Sequence, residues 1–320
     1  MTLSVEQGAE LMRQLRQAIG SRIVGQEDAI DDALVAFLAR GHMLIEGVPG
    51  TAKTLLVRTL ASALGIGFKR VQFTPDLMPS DLTGVSMLRE PAKGFEFQPG
   101  PIFTDLLLGD EINRAPAKTQ SALLEAMAER HVSTDGVTRR LNDLFTVFAT
   151  QNPVEHEGTY PLPEAQLDRF LLKSIMSYPS AEAELEMLRH HEQGFDPEQA
   201  TSELLPTILT EQQARELRSL VDTVRVVQDV QEYIVAITRA TREEPALSLG
   251  ASPRATVALL RAARAAAVLE GRSFVSPDDV KSRVLSALRH RVTLSPELEV
   301  EGRSADDVLS AILLRIPAPT

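Results

Sequence analysis

Cysteine and tryptophan are missing from all 320 residues, and only 4% of the chain is aromatic. Without cysteine there is no disulfide framework, no zinc knuckle and no thiol nucleophile. That composition suits a reducing compartment. No stretch approaches the roughly 18 uninterrupted apolar residues that a membrane helix needs. The opening MTLSVEQGAELMRQLRQAIG is polar and amphipathic and lacks the apolar run of a secretory signal. The expectation is a cytoplasmic protein with no membrane insertion. Basic excess is missing too, since the net charge is −11. Sequence-independent nucleic-acid binding draws on clustered Lys and Arg, so nucleic acid is not expected as the main partner. The charge does not exclude ATP, whose phosphates are met by a handful of local groups.

What is present is a globular composition, with 43% hydrophobic and 24% charged residues. The length points to about two domains. In the first half, short apolar runs alternate with helical patterns. His42–Glu46, Arg70–Thr74, Leu106–Asp110, Leu144–Ala149 and Leu171–Met176 read as buried parallel strands. Lys53–Leu64 and Ala117–Arg130 read as helices between them, and this alternation argues for an α/β layer. Tyr178–Pro179–Ser180 ends the pattern. Ala181–His191, Glu211–Val224, Val227–Thr241, Pro253–Leu269 and Pro277–Arg289 then follow as helices, two of them opened by a Ser-Pro cap. The predicted fold is an α/β core of five parallel strands over residues 1–178 and an all-helical lid over 180–320. Two hairpins are expected inside the core. One is at 131–140 around Asp135-Gly136, and the other at 85–98, where Phe95 and Phe97 alternate with polar neighbours.

Five pieces carry chemistry. Gly47-Val48-Pro49-Gly50-Thr51-Ala52-Lys53-Thr54, followed by Leu55, leaves a strand and opens a helix. Glycines let backbone N–H groups wrap phosphates, and the helix N-terminus adds the positive end of its dipole. Lys53 would neutralise the β- and γ-phosphates, and the Thr54 hydroxyl would bind Mg²⁺. Ala52 stands where glycine is usual and resists a positive φ, so either that angle is modest or the loop is altered. Leu106–Asp110 ends in a second acid, Glu111. Asp110 would hold Mg²⁺, mostly through water, and Glu111 would polarise the attacking water. Asn152 can orient that water, although Asn-Pro is also an ordinary turn. Arg169 lies too far along the fold to reach its own phosphate easily and would serve a neighbouring subunit; the bland alternative is a surface pair with Asp168. Arg254 sits in the first turn of a helix, where a cation meets the dipole unfavourably. A bound γ-phosphate would remove that penalty, and a solvated arginine beside a cap is the alternative.

Together GVPGTAKT, FTPDLMPSDLTG, PGPIFTDLLLGDEINRAP, ATQNPVEHEGTYPLPEAQLDRF and GASPRA resemble the MoxR family of AAA+ ATPases, most densely over residues 44–172. The resemblance implies Walker A at Lys53 and Thr54, Walker B at Asp110 and Glu111, and sensor 1 at Asn152. It implies an arginine finger at Arg169 and sensor 2 at Arg254. Val24 and Gly25 would lie beside the adenine. The second acid points to ATP hydrolysis, and an Arg169 that serves a neighbour's phosphate implies a closed homo-oligomeric ring, with six subunits expected; the resemblance adds remodelling of protein clients and a partner with a von Willebrand factor A (VWA) domain. A nucleic-acid-directed motor and a nucleotide-dependent binding switch with little turnover are the competing readings. The two hairpins resemble the family's pore-lining insert and pre-sensor hairpin. Phe95 and Phe97 would either grip a client or pack the hairpin. His190-His191 point to different helix faces and are not expected to bind metal. His156 reads as a bystander, and Arg114, Arg139 and Arg140 as possible boundary charges.

Overall fold

The computed structural model describes residues 3–90, 94–153, 159–195 and 205–319; His156 lies outside them. Two helices open the chain, α1 (Val5–Gly20) and α2 (Glu27–Leu38). Ser4 and Gln7 close a capping box on α1, which buries Met12, Leu15 and Ile19 at helical spacing. Next come β1 (Met43–Gly47), α3 (Lys53–Leu64), β2 (Phe68–Gln72) and α4 (Pro79–Thr83). The first hairpin is β3 (Gly84–Glu90) with β4 (Gly94–Pro99). It is followed by β5 (Leu106–Asp110), α5 (Ala117–Glu129) and the second hairpin, β6 (His131–Thr134) with β7 (Val137–Arg140). β8 (Thr146–Gln151), the short α6 (Glu164–Leu167) and β9 (Leu172–Met176) complete the core.

The five core strands outside the hairpins form one parallel sheet in the order β2-β5-β8-β1-β9. Strand alternation sends Met43, Ile45, Leu106 and Leu108 to one face and Leu44 and Leu107 to the other. β2 was expected two residues later. It is the edge strand, largely exposed on both faces, so apolar continuity marks it poorly. Phe73, which drew the expectation forward, is fully buried just past the strand.

From Ala181 the chain is mainly helical: α7 (Ala181–Glu192), α8 (Glu211–Thr223), α9 (Gln228–Glu243), α10 (Pro253–Leu269), α11 (Pro277–Leu288), α12 (Pro296–Val300) and α13 (Ala305–Arg315). This lid also carries a two-stranded antiparallel ribbon that the sequence reading leaves out, β10 (Leu247–Leu249) with β11 (Thr293–Leu294). At three and two residues these strands are too short to show a period. Among the described residues no helix is long and apolar enough to cross a membrane.

One apolar cluster runs unbroken from α1, α2, α3 and one sheet face into α8, α9, α10 and α11. Charge follows the same seam. Asp32 of α2 is 5% exposed and accepts from Arg283 of α11 at 2.7 Å; its neighbour Asp31 pairs with Arg16 of α1. Burial raises the pKa of Asp32 in spite of the arginine. The other sheet face closes a second cluster with α4 and α5.

Candidate functional site

Gly47 ends β1 one strand away from β9. A Cβ there would stand 2.5 Å from the Met176 carbonyl oxygen, so only glycine fits. The loop then turns into α3 through Ala52, which takes φ 63° and ψ 22°. Alanine therefore adopts the left-handed conformation that glycine ordinarily supplies, which resolves the question the sequence left open. The N–H groups of Gly50, Thr51 and Ala52 donate to no other described residue. Lys53 Nζ curls back onto the carbonyls of Gly47 and Val48.

The sheet order brings the acids to this loop. Asp110 ends β5 and Asn152 follows β8, which lies between β5 and β1. The register Glu46↔Gln151 puts Asn152, 5% exposed, level with Gly47. Thr54 Oγ1 donates to Asp110 Oδ2 at 3.3 Å, so the hydroxyl and the carboxylate converge as the sequence spacing anticipates. Thr150 donates to Asp110 Oδ1 and accepts from the Glu111 N–H at 2.9 Å. A lysine, a hydroxyl, a carboxylate and open backbone N–H groups at a helix N-terminus match a magnesium triphosphate in kind. Lys53 and the loop would hold the phosphates, and Thr54 with Asp110 the metal. Among the described residues no cluster of three His, Cys, Asp or Glu forms a separate metal site.

Glu111 takes a left-handed backbone, φ 56°. Its carboxylate is held by Gln72 Nε2 at 2.6 Å and Arg114 Nη1 at 2.8 Å. Arg70 donates to Asp110 Oδ2 from Nη2 at 2.6 Å and from Nε at 3.0 Å. Sequence reasoning missed Arg70 and Gln72. They alternate on β2 at strand period, but only the sheet order places β2 beside β5. Arg114, considered for a subunit boundary, donates to Glu111 in this chain.

Gly25 has φ +72°, and a side chain there would meet Ala183 Cβ at 2.7 Å and Pro179 Cβ at 3.4 Å. Gln26 Nε2 donates to the Ser177 carbonyl at 2.8 Å. The Val24–Gly25 segment thus lies against Pro179, between β9 and α7.

Arg169 and Arg254 are not brought to the loop. β1 and β9 run parallel, with Met43 beside Leu172 and Gly47 beside Met176. Arg169 precedes β9, so it lies beyond the end of the strand pair opposite Gly47, the paired stretch from Leu172 to Met176 alone spanning about 13 Å at 3.3 Å per residue. It is exposed and donates to the Leu124 carbonyl of α5 at 2.9 Å. Asp168 is not its partner. Arg291, 8% exposed, donates Nε to Asp168 Oδ1 at 2.6 Å and wraps the Phe170 and Leu171 carbonyls. Ser252, the N-cap of α10, reaches Asp168 Oδ2 at 3.4 Å. That contact sets the first turn of α10, with exposed Arg254, at the same far end. Arg254, expected at its own subunit's γ-phosphate, stands away from its own loop in this arrangement of the lid.

The hairpins meet each other. Ser86 Oγ donates to Asp135 Oδ2 at 2.5 Å, and the Arg139 guanidinium lies 3.7 Å from the Phe97 ring centroid. Phe97 also packs edge-on against Phe103, whereas Phe95 is 76% exposed. Arg140 pairs with Asp143 at the surface. His191 Nδ1 is bonded to the Phe195 carbonyl, and His190 meets the Phe195 ring edge-on.

The family profile described as "ATPase family associated with various cellular activities (AAA)" matches residues 42–172, and an AAA lid profile matches 239–312. Protein YeaC of Bacillus subtilis is 48% identical over 297 residues, covering 93% of this chain and 91% of that one. Chaperone MoxR1 of Mycobacterium tuberculosis is 43% identical, over 93% and 79%. Protein MoxR of Methylorubrum extorquens is 33% identical, over 94% and 93%. A solved structure of a candidate ATPase from Cytophaga hutchinsonii superposes with a TM-score of 0.87 at 38% identity, over 98% and 96%. With the parallel sheet, the glycine loop before α3 and the paired acids after β5 in place, this similarity over nearly the whole length decides the matter: the chain belongs to the MoxR family of chaperone-like AAA+ ATPases.

Proposed function

We propose that the protein hydrolyses ATP with Mg²⁺ to remodel protein clients. The observation that carries this reading is the meeting of Thr54 and Asp110 beside Lys53 at the N-terminus of α3. Residues 47–55 cradle the triphosphate, and Val24 and Gly25 border the base. Lys53 neutralises phosphate charge, and Thr54 and Asp110 serve the metal. Glu111 polarises the attacking water and Asn152 orients it. Glu111 must first leave Gln72 and Arg114, so the conformation described above is a resting one.

Arg169 and Arg254 share the edge remote from their own loop, which favours a head-to-tail assembly in which both serve a neighbour's γ-phosphate. Such contacts close into rings, and six subunits is the expected number. The relative named a chaperone supports a protein client. The family resemblance adds a VWA-domain partner.

The test uses purified protein with Mg²⁺. Wild type should release phosphate from ATP and grow in mass by light scattering when a slowly hydrolysed analogue is added. Lys53→Ala should lose nucleotide binding, and Glu111→Gln should keep binding but release phosphate at least about a hundredfold more slowly. If wild type takes up no adenine nucleotide, the proposal fails. If Glu111→Gln and wild type turn over equally slowly, a binding switch replaces the motor.

A further inference from the structure

The Asp110 side chain is 10% exposed, and an isolated carboxylate that deep is costly. Two cationic donors of Arg70 meet it, both on Oδ2, the oxygen that also accepts from Thr54. Arg70 is itself half-exposed and is steadied from the other side by Gln72 Oε1, 3.0 Å from Nη2. The guanidinium therefore covers the carboxylate edge that faces Thr54, which is the edge a divalent cation needs.

Resting on the phosphate-site reading above, we propose that Arg70 is the resident counter-ion of Asp110, a positioning residue that competes with the divalent cation. Arg70 neutralises Asp110 while the site is empty. It yields Oδ2 only when another cation compensates the carboxylate, because leaving alone would strand a buried charge. Its exposed flank gives it room to swing outward. The cost of that displacement sets the cation concentration at which the nucleotide is held. Arg70 thus biases the protein against binding nucleotide that carries no metal.

The experiment titrates Mg²⁺ into protein with a fluorescent, slowly hydrolysed ATP analogue, and separately records melting with and without both. Removing the competitor should lower the Mg²⁺ midpoint of Arg70→Gln by roughly three- to tenfold, the size of one partly exposed charge contact. Arg70→Gln should also melt below wild type when empty, and the gap should close at saturating Mg²⁺ and analogue. Arg70→Lys, which keeps the charge but has fewer donors, should fall between. Lys69→Gln removes one charge from the exposed neighbour on β2 without touching Asp110 and should leave the midpoint unchanged. An unchanged or raised midpoint in Arg70→Gln overturns the proposal, as does an equal fall in Lys69→Gln. A melting deficit that persists at saturation overturns it as well. Failure of the wild type to bind the analogue at any Mg²⁺ concentration instead sinks the phosphate-site reading itself.

Discussion

At position 52 the backbone turns left-handed under an alanine, at φ 63°. An L residue pays about 1–2 kcal/mol for that conformation, whereas glycine pays about 0.5–1 kcal/mol of extra chain entropy. Ala52→Gly should therefore stabilise the protein by about 0.5–1 kcal/mol in urea unfolding. An equal or larger loss would mean the alanine methyl makes contacts that outweigh the strain. The two hairpin phenylalanines, alike in sequence, should part in the same assay. Phe97→Ala removes a ring held by Phe103 and Arg139 and should cost about 2 kcal/mol. Phe95→Ala, at 76% exposure, should stay within about 0.5 kcal/mol of wild type. A side chain that contributes so little to folding, kept apolar in water, is the better candidate for touching a client.

Elements read well where a local signal and tertiary burial agree. α3 and α10 stand at the predicted residues because glycine-loop and Ser-Pro caps fix their starts and apolar spacing fixes their faces. α5 stops one residue early because Arg130 turns left-handed as its C-cap. The acids and the lysine were legible because each sits at a strand or helix end within a few residues of a turn. Arg70, Gln72 and Arg291 were not, since their partners lie 40, 39 and 123 positions away and depend on strand order or lid docking. Arg291 also shows what the lid does for the core. It is the inner clamp on the Asp168–Leu171 segment, and removing it takes the ion-pair partner from Asp168 and a donor each from the Asp168, Phe170 and Leu171 carbonyls. Arg291→Met should cost about 3–5 kcal/mol. If Asp168→Asn alone causes as large a loss, the ion pair rather than the carbonyl clamp holds the segment.

Over the whole molecule, the unbroken apolar cluster argues against independent halves. α1 and α2 bury their faces against α8 and α10, so residues 1–178 expressed alone should lack cooperative unfolding by calorimetry. Acid sensitivity should also be global. His42 is pinned between the Val147 N–H and the Met127 carbonyl, and burial beside Arg130 lowers its pKa from 6.5 to about 3. His290, bonded to the Phe170 carbonyl, is shifted the same way by burial and by Arg291. The unfolded chain takes up these protons near pH 6.5 and the folded one does not. The stability these two histidines contribute is therefore complete above pH 6.5 and falls as pH drops towards the folded values. Each histidine should cost about 1.4 kcal/mol per pH unit there, and His42→Gln should flatten the slope by about half.

The parallel run of β1 and β9 has a genetic consequence under the proposed assembly. A subunit lacking Lys53 still lends intact arginines, and one lacking Arg169 still offers an intact cradle. Two silent variants, co-assembled, should therefore complement each other and regain part of the turnover that neither has alone. If arginine and cradle served the same subunit, the mixture would stay as inactive as its components.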